Sequence, residues 1–600
     1  VYVYDDKIVQ QEITCQNGYI NMLGKVVRPL PNMAELIRTN GMTNIFSHIL
    51  ERFSVPVYVK SYNELYQKSH RTFTDTIYTK WYFSPVGTNS LLAETASGGK
   101  PVYFVTKENT KYFHIVQGAT NDMAVEVPTT YSLKFDPSWN ACNLVPGETD
   151  AETDMAAMFV PEDATLLEAF QRGSLRPLIT EYADIVDPAL TIAAQSATLE
   201  NLEPLYKAID QIPMNILQSL VNNLMRESYN GSVKSKFASL KNDAQESLFG
   251  TGCCTFSTFK LACNGAVYIT KSFHAPADYS SVAAPAYMNS DKRVMRFAIY
   301  NGSGSETDYM RGLNYYAYLK AMTSRFTLFL PDDDAMLYIY QPMSFVCKNP
   351  HLVKLTYNKS FDKPGQASGE PVKCEVWDYD QAQGYMSGTR AKTNPYSMDD
   401  RAGILTDVLQ THTLVHQTED DLISKSADRP LGERDQYYVT KSNDALKVTY
   451  NSDGSVAYVQ GGFQIENEQR GFDQPEGDDK RRGTVRCHVK DRSLCQEGGN
   501  GDTYILDAPI IPAVKSVFAV MGEHEAFQPF FNLCIGINPD IIEACDFYKK
   551  ENGEEMEVQD RTRLEEKTYT VFLEKNSTID CVTAFFNQYQ YSVFVPTGEA

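Results

Sequence analysis

Short apolar runs that stop at proline alternate along this chain with runs that open on Asn-Gly. Phe159-Val160-Pro161, Phe329-Leu330-Pro331 and Phe594-Val595-Pro596 end the runs AAMFVP, FTLFLP and YSVFVP, and a cluster of Glu, Asp or Thr and then an Ala follow each. Such a run predicts a buried strand halted by Pro, which cannot donate to the next rung, and then a helix whose exposed N–H groups the acidic or hydroxyl side chains cap. Asn17-Gly18, Asn264-Gly265 and Asn500-Gly501 open the strand-like runs NGYINMLGKVVRP, NGAVYITKSFHAP and NGDTYILDAPIIP, each with a Pro twelve positions after the Asn. The two boxes alternate in order, so the chain holds an internal repeat: two whole units, a closing piece before them and an opening piece after.

Each closing Pro is followed by a pair of helical segments: PNMAELIR with TNIFSHILERF, DKRVMRFAIY with GLNYYAYLKAM, AVKSVFAVM with EAFQPFFNLC. Phe46, Ile49, Leu50 and Phe53 fall on one helical stripe and predict core. LEPLYKAID, MNILQSLVNNLMRE and GILTDVLQTHTLVH predict further helices. RDQYYVTKSNDALKVTY and SVAYVQGGFQI predict strands, joined as a hairpin through Asn451-Ser452-Asp453-Gly454, where Asp-Gly supplies the positive φ of a tight turn. Helices beside a strand-rich core make the class α+β.

The Phe-x-Pro boxes in PEDATLLEAF and PDDDAM resemble the first signature of fasciclin domains, and NGDTYILDAPIIP resembles the second; NGAVYITKSFHAP is looser, with Ser272 and His274 inside it. The resemblance spans nearly the whole chain in order. It implies tandem fasciclin-like domains carrying long insertions, similar to surface lipoproteins of Bacteroidota-type bacteria. Expected boundaries are 1–33, the end of one domain; 34–290, a domain with insertion 54–157; 291–512, a domain with insertions 337–403 and 466–483; and 513–600, the start of another. Because a two-stranded piece is marginal alone, residues 1–33 are expected to pair with chain outside these 600 residues, which read as an internal segment of a longer polypeptide. Some animal fasciclin domains carry a Tyr-His pair linked to integrin binding. Here Thr411 precedes His412 and LVNNLMRE has no His, so integrin-type adhesion is not carried over.

Net charge is −21, which denies a nucleic-acid partner the basic field it needs. No run approaches the ~18 to 20 apolar residues of a membrane span, so membrane attachment is expected only through a lipid anchor outside this segment. Twelve cysteines are too few for a disulfide-built scaffold; Cys487 and Cys495 could bridge, but two buried thiols are the expectation, and a bond between adjacent Cys253 and Cys254 would be strained. His524-Glu525-Ala526-Phe527-Gln528 lacks the second His of a zinc-protease helix. His412 and His416, one helical turn apart with Glu419 near, lack a third strong ligand and read as exposed or capping residues. Asp332-Asp333-Asp334 reads as a helix cap rather than a calcium loop. No phosphate loop, dinucleotide fingerprint or nucleophile elbow is present, so no catalytic, cofactor or metal residue is expected.

Insertion 54–157 holds Trp81 and Trp139, an aromatic platform for sugar or protein or, the favoured reading, the core of its own small sheet. The expected function is non-enzymatic binding, adhesion or scaffolding at a cell surface, on the outer leaflet of a bacterial outer membrane, with other envelope proteins or an extracellular polymer as partner. The alternative is an accessory lipoprotein that captures glycan or peptide for a nutrient-uptake complex.

Overall fold

The computed structural model describes residues 2–3, 6–25, 30–58, 60–74, 77, 79–82, 102–104, 115–116, 124–126, 133–138, 155–192, 199–242, 247–249, 256–300, 315–337, 339–340, 351–362, 370–380, 385–390, 398–472, 485–493, 499–514, 517, 520–521, 524–530 and 592–596. The class is α+β. Two compact units divide the chain, Val1–Tyr279 with Asp362–Ala367 and Ser280–Phe361 with Ser368–Ala600.

The first unit centres on a four-stranded sheet in the order Met225–Arg226, Ala156–Pro161, Gly265–Thr270, Phe256–Ala262. Its two inner strands are the Phe-x-Pro and Asn-Gly runs. They lie parallel, with Phe159 opposite Tyr268 and Pro161 opposite Thr270, and both flanking pairs are antiparallel. Near-complete burial of both inner strands explains their unbroken apolar character, since a strand covered on two faces has no polar side to alternate with. Helix Asn44–Glu51 turns Ile45, Phe46, Ile49 and Leu50 inward, and Phe53 is buried just beyond it, as the stripe predicts.

In the second unit a seven-stranded sheet runs Thr413–His416, Arg325–Pro331, Gly501–Leu506, Cys487–Ser493, Val456–Gly461, Ala445–Tyr450, Tyr437–Val439. Its first four strands repeat the plan of the first unit: an antiparallel strand entered from a helix, then the Phe-x-Pro strand, then the parallel Asn-Gly strand with Phe329 opposite Tyr504, then an antiparallel neighbour. The end strands meet, through a bridge between Leu414 and Thr440 and a 2.8 Å bond from Lys441 N to Thr413 O. Closure leaves these two edges paired rather than open.

Three expectations need correction. GILTDVLQTHTLVH is not one helix: the helix Met398–Thr411 stops, and Thr413–His416 is a strand on Arg325–Leu328, where β-branched Thr413 and Val415 suit a pleated surface. RDQYYVTKSNDALKVTY is two strands, turned at Asn443 with φ 66°, while the Asn451–Gly454 turn forms as expected, with Gly454 at φ 88°. The GFQI of SVAYVQGGFQI begins helix Gly462–Gln469, because the Gln464 Oε1 accepts from Gly461 N and starts the helix there.

The segments expected to be insertions hold sheets of their own, the favoured reading for 54–157. Within 337–403, strands Ile339–Tyr340, His351–Tyr357, Val372–Asp380 and Tyr385–Arg390 make an antiparallel sheet, and its Val353, Leu355, Val372 and Cys374 share one apolar cluster with Val294, Met295, Phe326 and Leu328. Within 54–157, Ser54–Tyr58 pairs antiparallel with Thr79–Tyr82, which carries Trp81, and parallel with Ile115–Val116. Leu133 and Tyr82 are buried, and Pro137 O accepts from Ala34 N at 3.0 Å, so the far end of this excursion belongs to the core. Trp139 lies outside the described residues, as do 515–516 and 518–519 of AVKSVFAVM and 531–534 of EAFQPFFNLC.

Candidate functional site

The recurring boxes form a stitched joint in each unit. Asn264 Oδ1 accepts from Met33 N at 3.0 Å while its Nδ2 donates to Pro137 O at 3.0 Å; Asn500 Oδ1 accepts from Val282 N at 2.8 Å while its Nδ2 donates to Leu319 O at 2.7 Å. Each Asn therefore ties the closing strand to the chain that enters its unit. The Gly beside it allows a backbone approach no side chain permits: a Cβ on Gly265 would lie 2.2 Å from Ala156 O, and one on Gly501 would lie 1.8 Å from Phe326 O.

The acids after the Pro act at long range. Asp163 Oδ1 accepts from Ile45 N at 2.8 Å and Asp333 Oδ1 from Val294 N at 2.9 Å, so each caps the N-terminal turn of a distant helix, Asn44–Glu51 or Arg293–Tyr300. Only Asp332, accepting from Ala335 N at 2.8 Å and paired with Lys490, caps the turn that follows it. Burial raises both capping carboxyls, Asp333 to about 6. The acidic cluster is thereby structural, as the capping reading expects, although the capped helix is not the adjacent one.

The histidine group separates. His412 is fully buried, so it is not exposed, but its Nδ1 is directed to Val408 O in the last turn of helix Met398–Thr411 at 2.7 Å, a C-terminal capping contact, and its Nε2 accepts from Ile510 N at 2.8 Å; burial lowers it to about 4. His416 sits on the strand with Nε2 2.9 Å from Thr327 Oγ1, and Glu419 lies 3.8 Å from Arg325 Nε. Among the described residues no three His, Cys, Asp or Glu gather as metal ligands. Cys487 is a buried free thiol that receives a bond from Gln464 Nε2 at 2.8 Å and donates to Pro509 O, and burial raises it. Cys495, Cys253 and Cys254 lie outside the described residues. His274 rests against Ser272 Oγ at 3.2 Å, and His524 stacks on Phe527.

One apolar group does face solvent. At the seam where the seven-stranded sheet closes, antiparallel register sets Val415 opposite Val439, with Tyr437 on the same face, and all three are exposed. The seam is hidden in the sequence because the spacing of GILTDVLQTHTLVH places Val415 on a helix. Among the described residues no helix is long and apolar enough to cross a membrane.

No family model matches this chain, and no curated protein matches it. Among solved structures it is similar to the FAS1 domain pair from the insect cell adhesion molecule Fasciclin I, at 12% identity over 60% of this chain and 88% of that one, with a TM-score of 0.20.

Proposed function

We propose that this chain is a non-enzymatic cell-surface binding or scaffold protein built from tandem fasciclin-like modules with long insertions. Support comes from the repeated joint of Asn-Gly strand, Phe-x-Pro strand and distant acidic cap, which makes two rigid platforms from one plan. The observation that carries the binding role is the exposed seam of Val415, Tyr437 and Val439, because apolar side chains grouped on a closed sheet mark a contact surface rather than a folding need. Its partner is an envelope protein or an extracellular glycan or peptide, on the outer face of a bacterial outer membrane.

The test is retention of the purified chain on the envelope fraction of its source cell, for wild type and for a Tyr437→Ser, Val439→Asp variant. Loss of an aromatic anchor worth about 1.4 kcal/mol or more lowers retention about tenfold with an unchanged melting curve. Protease treatment of the fraction separates protein from glycan as partner. Equal retention of variant and wild type sinks the seam as the contact surface.

A further inference from the structure

Strand Phe256–Ala262 ends the four-stranded sheet of the first unit and, among the described residues, is hydrogen-bonded on one side only, to Gly265–Thr270. Its counterpart in the second unit is Cys487–Ser493, residue for residue: Phe259 stands opposite Tyr268 as Arg492 stands opposite Tyr504, and the two strands bulge at the same place, at Ser257 and at Lys490. The counterpart is paired on its far side only at Cys487 and His488, and the open remainder carries Lys490, Asp491 and Arg492, all exposed. Charges along an open edge keep it from accepting a further strand. The first unit has the same edge without that protection. Thr258 and Phe259 replace Asp491 and Arg492, and Ser257, Phe259 and Leu261 are exposed. The bulge puts Phe256, Phe259 and Leu261 on the face of Tyr268 and Ala266, and Thr258 and Lys260 on the other. Although the chain has net charge −21, the strand's one charge is Lys260, and Lys234 lies beside it with its Nζ 5.9 Å from the Phe256 ring centroid. Neither lysine has an ion pair among the described residues.

We propose that Phe256–Ala262 takes an extended acidic segment of a partner protein as an added antiparallel strand, with apolar side chains over Phe259 and Leu261 and a carboxylate facing Lys260. Antiparallel is the direction in which Val456–Gly461 joins the counterpart strand. Main-chain bonds to the open edge supply affinity, and the alternation of side chains supplies specificity. The segment that fits alternates apolar and acidic residues, because directly opposed side chains share a face and the two faces of this edge are apolar and basic. A second copy of the same edge fits less well, since it would gather two Lys260 side chains and two chains of net charge −21. The inference rests on the binding reading, adds to it the chemistry of a partner, and uses a surface separate from the Val415, Tyr437 and Val439 seam.

The test is fluorescence anisotropy of two labelled peptides, Glu-Val-Glu-Val-Glu-Val-Glu and Lys-Val-Lys-Val-Lys-Val-Lys, titrated with the whole chain in about 0.05 M and about 0.5 M salt. The acidic peptide is expected to saturate below about 1 mM and to bind more weakly at high salt, and the basic peptide not to bind. Lys260→Glu should weaken the acidic peptide about tenfold and admit the basic one, and Leu261→Ser should weaken the acidic peptide without admitting the basic one. Both replace exposed or half-exposed side chains, so their melting curves should match wild type. Hydrogen exchange over 256–262 should slow when the acidic peptide is added. No saturation, equal affinity for the two peptides, or binding untouched by both variants overturns the proposal. So does exchange as slow in the free chain as with peptide, which would mean that the edge is already covered, and so does self-association that the acidic peptide displaces, which would make a second copy the occupant. Envelope retention is scored on the same variants: retention without peptide binding sinks the edge alone, and a chain that shows neither loses the binding reading with it.

Discussion

The three Asn-Gly boxes offer one substitution with two different outcomes. At Gly501 an added Cβ would sit 1.8 Å from Phe326 O, against the 3.0 Å that real contacts require, so the two parallel strands must part by roughly 1 Å. That separation takes the 2.9 Å bond from Phe326 N to Asn500 O beyond the usual 3.2 Å limit and strains the rungs that follow. Two such bonds at about 0.5–1.5 kcal/mol each, with about 1–3 kcal/mol of overpacking, make the cost of Gly501→Ala about 2–6 kcal/mol. Gly265→Ala meets Ala156 O at 2.2 Å and Met33 Sδ at 2.8 Å and falls in the same range. Gly18→Ala meets nothing within 4 Å and should change stability by less than about 0.5 kcal/mol. For a unit of this size, 1 kcal/mol is about 2–4 °C, so calorimetry should show one endotherm falling by roughly 4–24 °C in each of the first two variants and no shift in the third. Hydrogen exchange on peptides covering 325–331 and 501–506, or 156–161 and 265–270, assigns the loss to its own joint. Equal midpoints for all three variants, or a larger fall for Gly18→Ala, would refute the claim that close strand approach is why Gly stands in this box.

Phe159→Ala and Phe329→Ala should each cost about 3–5 kcal/mol by cavity formation, since Phe159 packs against Phe237, Phe249 and Tyr268, and Phe329 stacks on Tyr504; urea midpoints close to wild type would count against equivalent cores. His412 falls from its usual 6.5 to about 4, so the native state holds fewer protons across that window and stability rises with pH through it, by at most about 3 kcal/mol, and is lost as pH falls toward 4. Asp333, raised from 3.8 to about 6, slopes the other way: its contribution is present below 3.8 and lost as pH rises through 6. Asp333→Asn keeps an oxygen for Val294 N and removes the opposing slope, so urea midpoints measured between about pH 4 and pH 6 should climb more steeply than in wild type, and an unchanged slope would show that Asp333 ionises alike in the folded and unfolded chain.

Local chemistry was legible in the sequence wherever one residue type has one structural use. Pro161 and Pro331 end their strands because they lack an N–H, Asn-Gly opens the partner strands, and the stripe of Phe46, Ile49 and Leu50 is core because its spacing puts it on one helix face. The boundary at Thr411 was not legible, since ILTDVLQT and THTLVH have compatible apolar spacing and only pairing with Arg325–Leu328 makes the second a strand. Nor could sequence say which helix Asp163 and Asp333 cap: each is surrounded by nearby donors, yet the N–H groups they receive come from 118 and 39 residues away. The segment 337–403 was set apart as an insertion because the fasciclin resemblance has no place for it, whereas the buried faces of its sheet meet Val294, Phe326 and Leu328 across the unit. Chain connectivity specifies which groups can bond nearby; burial, which depends on distant segments arriving together, decided which of those bonds the molecule makes.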